Sequence, residues 1–172
     1  MSQHADLLAQ AVSLAKMDVK KPKQANLRRA ISSAYYAVFH LLVDEACRAQ
    51  IGGLHRQAPF RHVLGRAFAH GVMKEACKSF AGGALKKGVA KGLPVGFAIP
   101  SEIRELASAF VDLQDHRHLA EYDLTERFKR SDVLLLIAQV RRHIESFKNL
   151  APSNEKQFFL ACLWAWKELA NR

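Results

Sequence analysis

The chain has 172 residues, of which 49% are hydrophobic and 24% are charged, a composition typical of one globular domain with a core of its own. No stretch approaches the roughly 20 uninterrupted apolar residues that a membrane span requires, and the N-terminus lacks the basic-then-apolar order of a secretory signal, so we expect a cytoplasmic protein without a membrane partner. The 26 Lys and Arg exceed the 16 Asp and Glu, giving a formal net charge of +10, which favours a polyanionic partner such as nucleic acid, although a basic protein without one fits the charge as well.

Apolar residues recur with a helical period along almost the whole chain, and no stretch alternates as a strand would. We predict helices over about residues 3–19, 22–50, 59–80 and 101–124, a fifth reaching residue 149, and a sixth over 154–170. Gly52-Gly53 ends the second helix, Ser101 caps the fourth, and Thr125 or Ser131 caps the fifth. The pattern therefore predicts an all-α fold, a single up-and-down antiparallel helical bundle spanning residues 1–172.

Two segments depart from an ordinary amphipathic pattern. Residues 81–100, AGGALKKGVAKGLPVGFAIP, hold five of the nine glycines and three lysines, and we interpret them as a flexible basic loop. It is either a mobile connector or a loop that becomes ordered on RNA. The last helix contains FFLACLWAW, which is apolar on every face and indicates deep burial or a subunit interface.

The three cysteines are far apart in the sequence and form no CxxC pair. Neither a disulfide framework nor a zinc site is expected from this spacing. A metal site built from His116, His118 and Asp123 is also not expected on an intact helix, because positions 116 and 118 lie on different faces. We predict no metal and no cofactor.

The second helix carries the stretch NLRRAISSAYYAVFHLL, in which polar side chains are aligned rather than scattered. Its apolar stripe, by 4-3-4-3 spacing, consists of Leu27, Ile31, Ala34, Val38 and Leu41. Two neighbouring polar faces consist of Arg29, Ser33, Tyr36 and His40, and of Arg28, Ser32, Tyr35 and Phe39. These groups either satisfy one another between packed helices or border a cleft.

An arginine stands on the inward stripe of the fourth helix. That stripe steps 3-4-3-4-3-4 through Ile103, Leu106, Phe110, Leu113, Arg117, Ala120 and Leu124. An arginine at such a position is costly unless it is paired or lines a cleft. Arg117 is therefore expected either to form an internal ion pair, with Asp44 or Glu121, or to meet an anion such as a phosphate.

Together, LRRAISSAYYAVFH and RHLAEYD resemble the motifs of HEPN-domain proteins, in the branch with S-x-A-Y-Y-A-x-F-H followed by R-x-x-A-[DE]-Y. The resemblance covers about residues 5–150, leaving out the glycine-rich loop and the last helix. It implies an up-and-down helical bundle, usually a homodimer with the motifs near its interface. Many members are RNA-cutting toxins or defence proteins encoded beside a nucleotidyltransferase partner, and the nucleases cut RNA without a metal through an arginine followed, after four to six residues, by histidine.

This chain departs from the nuclease motif, because the histidine position after Arg117 is taken by Tyr122, giving R-x4-Y. The pairs Arg48…His55 and Arg56…His62 have a suitable spacing but straddle the turn between helices. The candidate catalytic residues are Arg117, His118 and Tyr122, and the candidate supporting or substrate-binding residues are Arg29, Ser33, Tyr36, His40 and Glu121.

Two functions follow from these residues. The first is a metal-independent ribonuclease or toxin-like effector acting in a dimeric cleft. There Arg117 would stabilise the charged phosphorane, and His118 or His40 would act as acid or base. The second, favoured by the replaced histidine, is a non-catalytic HEPN module that binds RNA, a nucleotide or a nucleotidyltransferase-like protein.

Overall fold

The computed structural model describes residues 2–171, and within that range the regular secondary structure is helical, with no strand. The helices in chain order are α1 (Gln3–Lys16), α2 (Gln24–Ile51), α3 (Ala58–Gly65), α4 (His70–Ala81), α5 (Lys87–Ala90), α6 (Ser101–Tyr122), α7 (Arg130–Asn149) and α8 (Asn154–Ala170). The prediction of an all-α protein is confirmed.

The bounds of the last helix agree with the predicted range of 154–170. Ser153 has an extended backbone, and its Oγ accepts a hydrogen bond from the backbone N–H of Lys156 at 3.2 Å, which satisfies one free donor of the first turn.

The first helix ends earlier than predicted, at Lys16. Asp18 follows it and accepts hydrogen bonds from the Lys23 backbone N–H and the Asn26 amide, so its carboxylate organises the turn into α2.

The single helix predicted over residues 59–80 is wrong, because the chain forms α3 and α4 there with residues 66–69 between them. Gly65 is a weak helix former at the end of α3, and a Cβ atom at that position would lie 3.5 Å from the Val43 side chain. This is an ordinary van der Waals distance, and past Gly65 the backbone opens to an extended conformation at Ala69. The buried Phe68 lies in this break and anchors it.

The start of α7 also differs from the prediction. It begins at Arg130, so Ser131 lies inside the first turn and Thr125 lies before the helix. The backbone N–H and hydroxyl of Thr125 instead donate to the Asp123 carboxylate, at 2.8 and 2.6 Å, and close a turn just after α6. Within residues 81–100, the short helix α5 buries Val89, so part of the predicted loop is regular.

The chain divides into two compact units. The first consists of Met1–Leu41 and Ala109–Ser146, and it contains the predicted apolar stripe of α2, in which Leu27, Ile31, Ala34, Val38 and Leu41 are all buried.

A clamp formed by Gln24 and Arg28 fixes the segment after α6 in the first unit. The Gln24 side-chain amide exchanges two hydrogen bonds of 2.9 Å with the backbone of Phe128. Arg28 donates to the carbonyl oxygens of Ala120 and Glu126, each at 2.7 Å, and its guanidinium lies 5.4 Å from the centre of the Phe128 ring. The bond to Ala120 satisfies a carbonyl group that the end of α6 leaves free, and the other bonds hold the segment that follows the helix.

The second unit consists of Leu42–Ser108 and Phe147–Arg172. Its aromatic core is centred on Phe80, whose ring lies 4.9 Å from that of Phe159 and 6.3 Å from that of Trp166. Helix α8 buries Phe159, Leu160, Cys162, Leu163 and Trp166, whereas Trp164 remains 41% exposed. Burial raises the pKa of the Cys162 thiol to about 12. The predicted burial of this helix is therefore confirmed for one side of the helix only.

Between Ser2 and Asn171, no helix combines the length and the apolar character needed to cross a bilayer.

Replacing Phe80 by Ala is expected to lower the free energy of unfolding by about 3–5 kcal/mol, because a fully buried ring is removed from a packed core. Urea unfolding followed by far-UV circular dichroism measures the change. The matched control is Phe60→Ala, whose ring is 65% exposed and whose loss is expected to cost less than about 0.5 kcal/mol. Equal losses in the two variants would contradict this assignment of the core.

Candidate functional site

The structure places Arg117 at the centre of a polar cluster in the first unit. Its Nε donates to Glu121 Oε1 at 2.7 Å, one helical turn further along α6. The Arg117 side chain is 20% exposed. Of the two arrangements expected for this arginine, the ion pair with Glu121 is therefore formed, whereas Asp44 instead pairs with Arg48 at 2.7 Å.

Two tyrosine rings of α2 support the Arg117 guanidinium. The carbon at its centre lies 5.1 Å from the centre of the Tyr35 ring and 4.9 Å from the centre of the Tyr36 ring. Tyr35 is fully buried and packs at 5.4 Å on Phe110 of α6, so one ring is fixed by the core. Aromatic faces attract a cation, and together with Glu121 they hold the arginine in one orientation.

Glu121 receives a second hydrogen bond, from the Ser32 hydroxyl of α2 at 3.2 Å. The Arg117 hydrogen bond is the main reason that the pKa of Glu121 lies below its ordinary value, and the nearby positive charge of Arg29 acts in the same direction. The hydrogen bond to Glu121 likewise raises the pKa of Arg117. Both charges are therefore present at neutral pH.

We call this group of residues the Arg117 cluster; its members are Ser32, Tyr35, Tyr36, Arg117 and Glu121. Arg117 donates to Glu121 through its Nε only. Within the part of the chain that the structure describes, no hydrogen bond joins the two Nη groups of Arg117 to a protein acceptor. Their paired N–H groups have the geometry that binds two oxygens of a phosphate or a carboxylate.

The other two candidate catalytic residues lie together at the end of α6. Their rings are 4.9 Å apart, and both side chains are exposed, that of Tyr122 to 68%. His118 follows Arg117 in the sequence but is rotated by about 100° around the helix axis. The structure therefore joins His118 to Tyr122 and joins Arg117 to Glu121.

The remaining candidates lie along α2 with different surroundings. Arg29 is exposed, and the Ser33 hydroxyl donates to the side-chain oxygen of Gln10 in α1 at 3.1 Å. The His40 ring lies 6.1 Å from that of Tyr36, and burial lowers the pKa of this histidine. His40 is therefore neutral near pH 7, which suits a base rather than a cation.

Two residues of the cluster were not among the sequence candidates, namely Ser32 and Tyr35. Both belong to the second polar face of α2, whose 4-3-4 spacing was the available signal. The choice between the two faces depends on how α2 is rotated toward α6, which one helix's periodicity does not specify. Arg117 in fact lies over one ring from each face.

The other arginine–histidine pairs occupy different settings. His55 and Arg56 lie in the turn before α3, and His62 lies in α3; all three side chains are exposed. The Nδ1 of His116 donates a hydrogen bond to the carbonyl oxygen of Asp112, at 2.7 Å. From Ser2 to Asn171, no three His, Cys, Asp or Glu side chains lie close enough together to hold a metal ion.

No family model, no curated protein and no solved structure matches this chain.

The chemistry that this cluster can offer is the binding of an anion. It offers a fixed positive charge with free paired donors, supported on one side by aromatic rings and on another by a carboxylate. A proton acceptor or donor for chemistry would come from His40, His118 or Tyr122, each of which lies on α2 or α6, the helices that form the cluster.

Glu121→Gln is expected to lower the free energy of unfolding near pH 7 by about 0.5 kcal/mol, the size of a solvent-accessible i,i+4 ion pair. Because the folded-state pKa of Glu121 is lowered, its stabilisation is complete above its unfolded pKa. It is lost as the pH falls through the folded value, so the difference from the unmodified protein should begin to shrink below about pH 4.3, the ordinary pKa of Glu, and disappear once the pH is below the lowered pKa of the folded state.

Urea unfolding over this pH range measures the effect, with Glu145→Gln on the exposed side of α7 as the control. A difference that stays constant across the range, or that appears equally in the control, would contradict the ion pair.

Proposed function

We propose that the protein is an RNA-binding protein of the HEPN type, and that it cuts RNA without a metal as a toxin-like or defence effector. The observation that carries this proposal is the fixed guanidinium of Arg117, whose free Nη donors fit an RNA phosphate. The motif resemblance and the net charge of +10 support RNA as the source of that phosphate.

In the proposed reaction, the 2′-oxygen of a ribose attacks the adjacent phosphorus as a base removes its proton. The bond from phosphorus to the 5′-oxygen breaks, and an acid returns a proton to that oxygen. The products are a 2′,3′-cyclic phosphate and a 5′-hydroxyl, so atoms and protons balance. Arg117 stabilises the negative charge of the phosphorane, His40 or His118 transfers protons, and Tyr122 orients His118.

A homodimer would suit the exposed end of α6. Besides Tyr122, two apolar side chains are exposed there, Leu119 to 40% and Leu124 to 82%. A second copy covering this end would enclose His118 beside the site and exclude water. A nucleotidyltransferase-family protein is a further partner that the resemblance implies.

A second candidate function, binding without cleavage, is favoured by the position of the histidine. Tyr122 replaces the motif histidine, and His118 contacts Tyr122 at the surface. In that case the Arg117 cluster holds a phosphate of RNA or of a nucleotide, and the protein acts through what it binds.

The deciding assay incubates the purified protein with total RNA in EDTA and follows fragments on a denaturing gel. Arg117→Ala is expected to slow cleavage by about 10²–10³, the usual cost of losing one transition-state donor. Arg117→Lys should also be impaired, because an ammonium lacks the paired donors. Arg142→Ala, which removes an exposed arginine of α7, should cut normally.

Intact RNA with the unmodified protein would eliminate the nuclease and leave the binding module. Cleavage that continues undiminished in Arg117→Ala would show that the activity resides elsewhere. If the unmodified protein binds RNA without cutting it, and Arg117→Ala binds RNA more weakly, the second function is selected.

A further inference from the structure

The positive charge of the protein is concentrated in one part of the chain. Residues 46–101 contain nine Lys and Arg but a single acidic residue, Glu75. The remaining residues contain seventeen Lys and Arg against fifteen Asp and Glu. Most of the excess charge therefore belongs to the second unit, which contains this whole segment.

Within that segment, α3 and the turn before it expose apolar side chains among cations. The exposed fractions are 55% for Leu54, 65% for Phe60 and 66% for Val63. Arg56 precedes Phe60 by four residues and Arg66 follows Val63 by three, and both arginines are exposed. Phe60 and Val63, three residues apart, share one side of α3. Arg56 lies in the 3-10 turn before the helix and Arg66 directly follows it, so an aromatic and an aliphatic side chain lie between two arginines along the chain.

We call these residues the α3 surface: Leu54, Arg56, Phe60, Val63 and Arg66. It is held in place by hydrogen bonds and not left as a loose loop. Arg61 Nη1 donates to the carbonyl oxygens of Gly52, at 2.7 Å, and Leu54, at 3.0 Å. The Gln57 side chain accepts from the Leu54 backbone N–H at 3.0 Å.

Gly52 makes this arrangement possible, because its φ is +97° and a Cβ atom there would lie 2.6 Å from Gln57 Oε1. Arg61 is thus a structural residue of the turn, and Arg56 and Arg66 are the arginines left to face a ligand.

Single-stranded RNA fits this surface in two ways. An exposed aromatic ring provides a face on which an unpaired base can stack, and flanking guanidinium groups bind phosphates on either side of that base. The segment around the surface contains one acid in 56 residues, so its own charge favours a polyanion.

An anionic membrane surface fits less well. The helix has eight residues and is only about 12 Å long, and it exposes two large apolar residues with one arginine before the helix and one after it. Helices that lie in a membrane interface present a broad apolar face, often over 20–30 residues. The arginine–aromatic alternation is closer to a platform for bases.

We propose that the α3 surface binds single-stranded RNA by stacking a base on Phe60 between Arg56 and Arg66. This inference rests on the proposed function for its ligand, but it concerns a surface of the second unit and not the Arg117 cluster. It assigns capture of the strand to α3 and leaves the chemistry to the first unit.

The test measures fluorescence anisotropy of a labelled 2′-O-methyl oligouridylate in EDTA, because this probe lacks the 2′-hydroxyl and cannot be cut. Phe60→Leu, which keeps an apolar side chain but removes the ring, should weaken binding about tenfold. Phe60→Tyr keeps the ring and should bind within about twofold of the unmodified protein. Circular dichroism verifies that these exposed-site variants are folded.

The charge contribution is measured separately from the salt dependence of the same binding. Replacing Arg56 and Arg66 together by Gln should reduce the slope of log K against log salt by about 1.4, since each single-strand phosphate contact contributes about 0.7. The control Arg142→Gln, on α7 of the first unit, should leave the slope unchanged.

The outcomes separate this inference from the proposed function. RNA binding that is equal in Phe60→Leu and the unmodified protein overturns the α3 surface but leaves RNA as the ligand. No binding of RNA at all overturns both. Binding to phosphatidylserine vesicles that survives Phe60→Leu, with no RNA binding, would identify a membrane as the partner. Loss of binding in Phe60→Leu, with Arg117→Ala still binding the probe, supports separate capture and catalytic sites.

Discussion

Arg117 places a permanent positive charge on the side of α6 that otherwise carries buried apolar residues, and the first unit is arranged around that charge. A guanidinium in such a position is unfavourable unless its charge is compensated. Glu121 compensates it from the same helix, and Tyr35 and Tyr36 do so from α2. One electrostatic requirement, the compensation of the Arg117 charge, therefore accounts for three features together. These are the tyrosine pair, the serine that donates to Glu121, and the packing of α2 against α6.

The two units differ in what they offer a polyanion. The first unit provides one oriented guanidinium with aromatic support, which is specific but small. The second unit provides most of the net charge, together with an exposed ring on a short rigid helix. Affinity for nucleic acid grows with the number of phosphate contacts, whereas chemistry needs one phosphate placed accurately. In the proposed function, separate surfaces would allow each requirement to be met without compromising the other.

The sequence predicts those features that depend on one helix at a time. The buried stripe of α2 and both bounds of α8 follow from periodicity and from the Ser153 cap. The division into α3 and α4 does not, because the burial of Phe68 is a tertiary effect. Similarly, i,i+4 spacing made Glu121 one of two possible partners of Arg117, but the part played by Tyr35 depends on the rotation of α2 against α6. Gln24 and Arg28 form hydrogen bonds to backbone groups that are about a hundred residues away in the sequence. Such long-range bonds leave no local sequence pattern.

Helix α2 has two duties that are tied to one another by its geometry. Near the start of α2, Gln24 and Arg28 clamp the segment after α6. Two turns later, Tyr35 and Tyr36 contact the guanidinium of Arg117, which belongs to α6. Inserting or deleting one residue between these two points would rotate the rings by about 100° relative to the clamp. In evolution, this stretch of α2 should consequently accept exchanges of side chains while its length stays constant, and natural length variation should accumulate in the turns that follow α2.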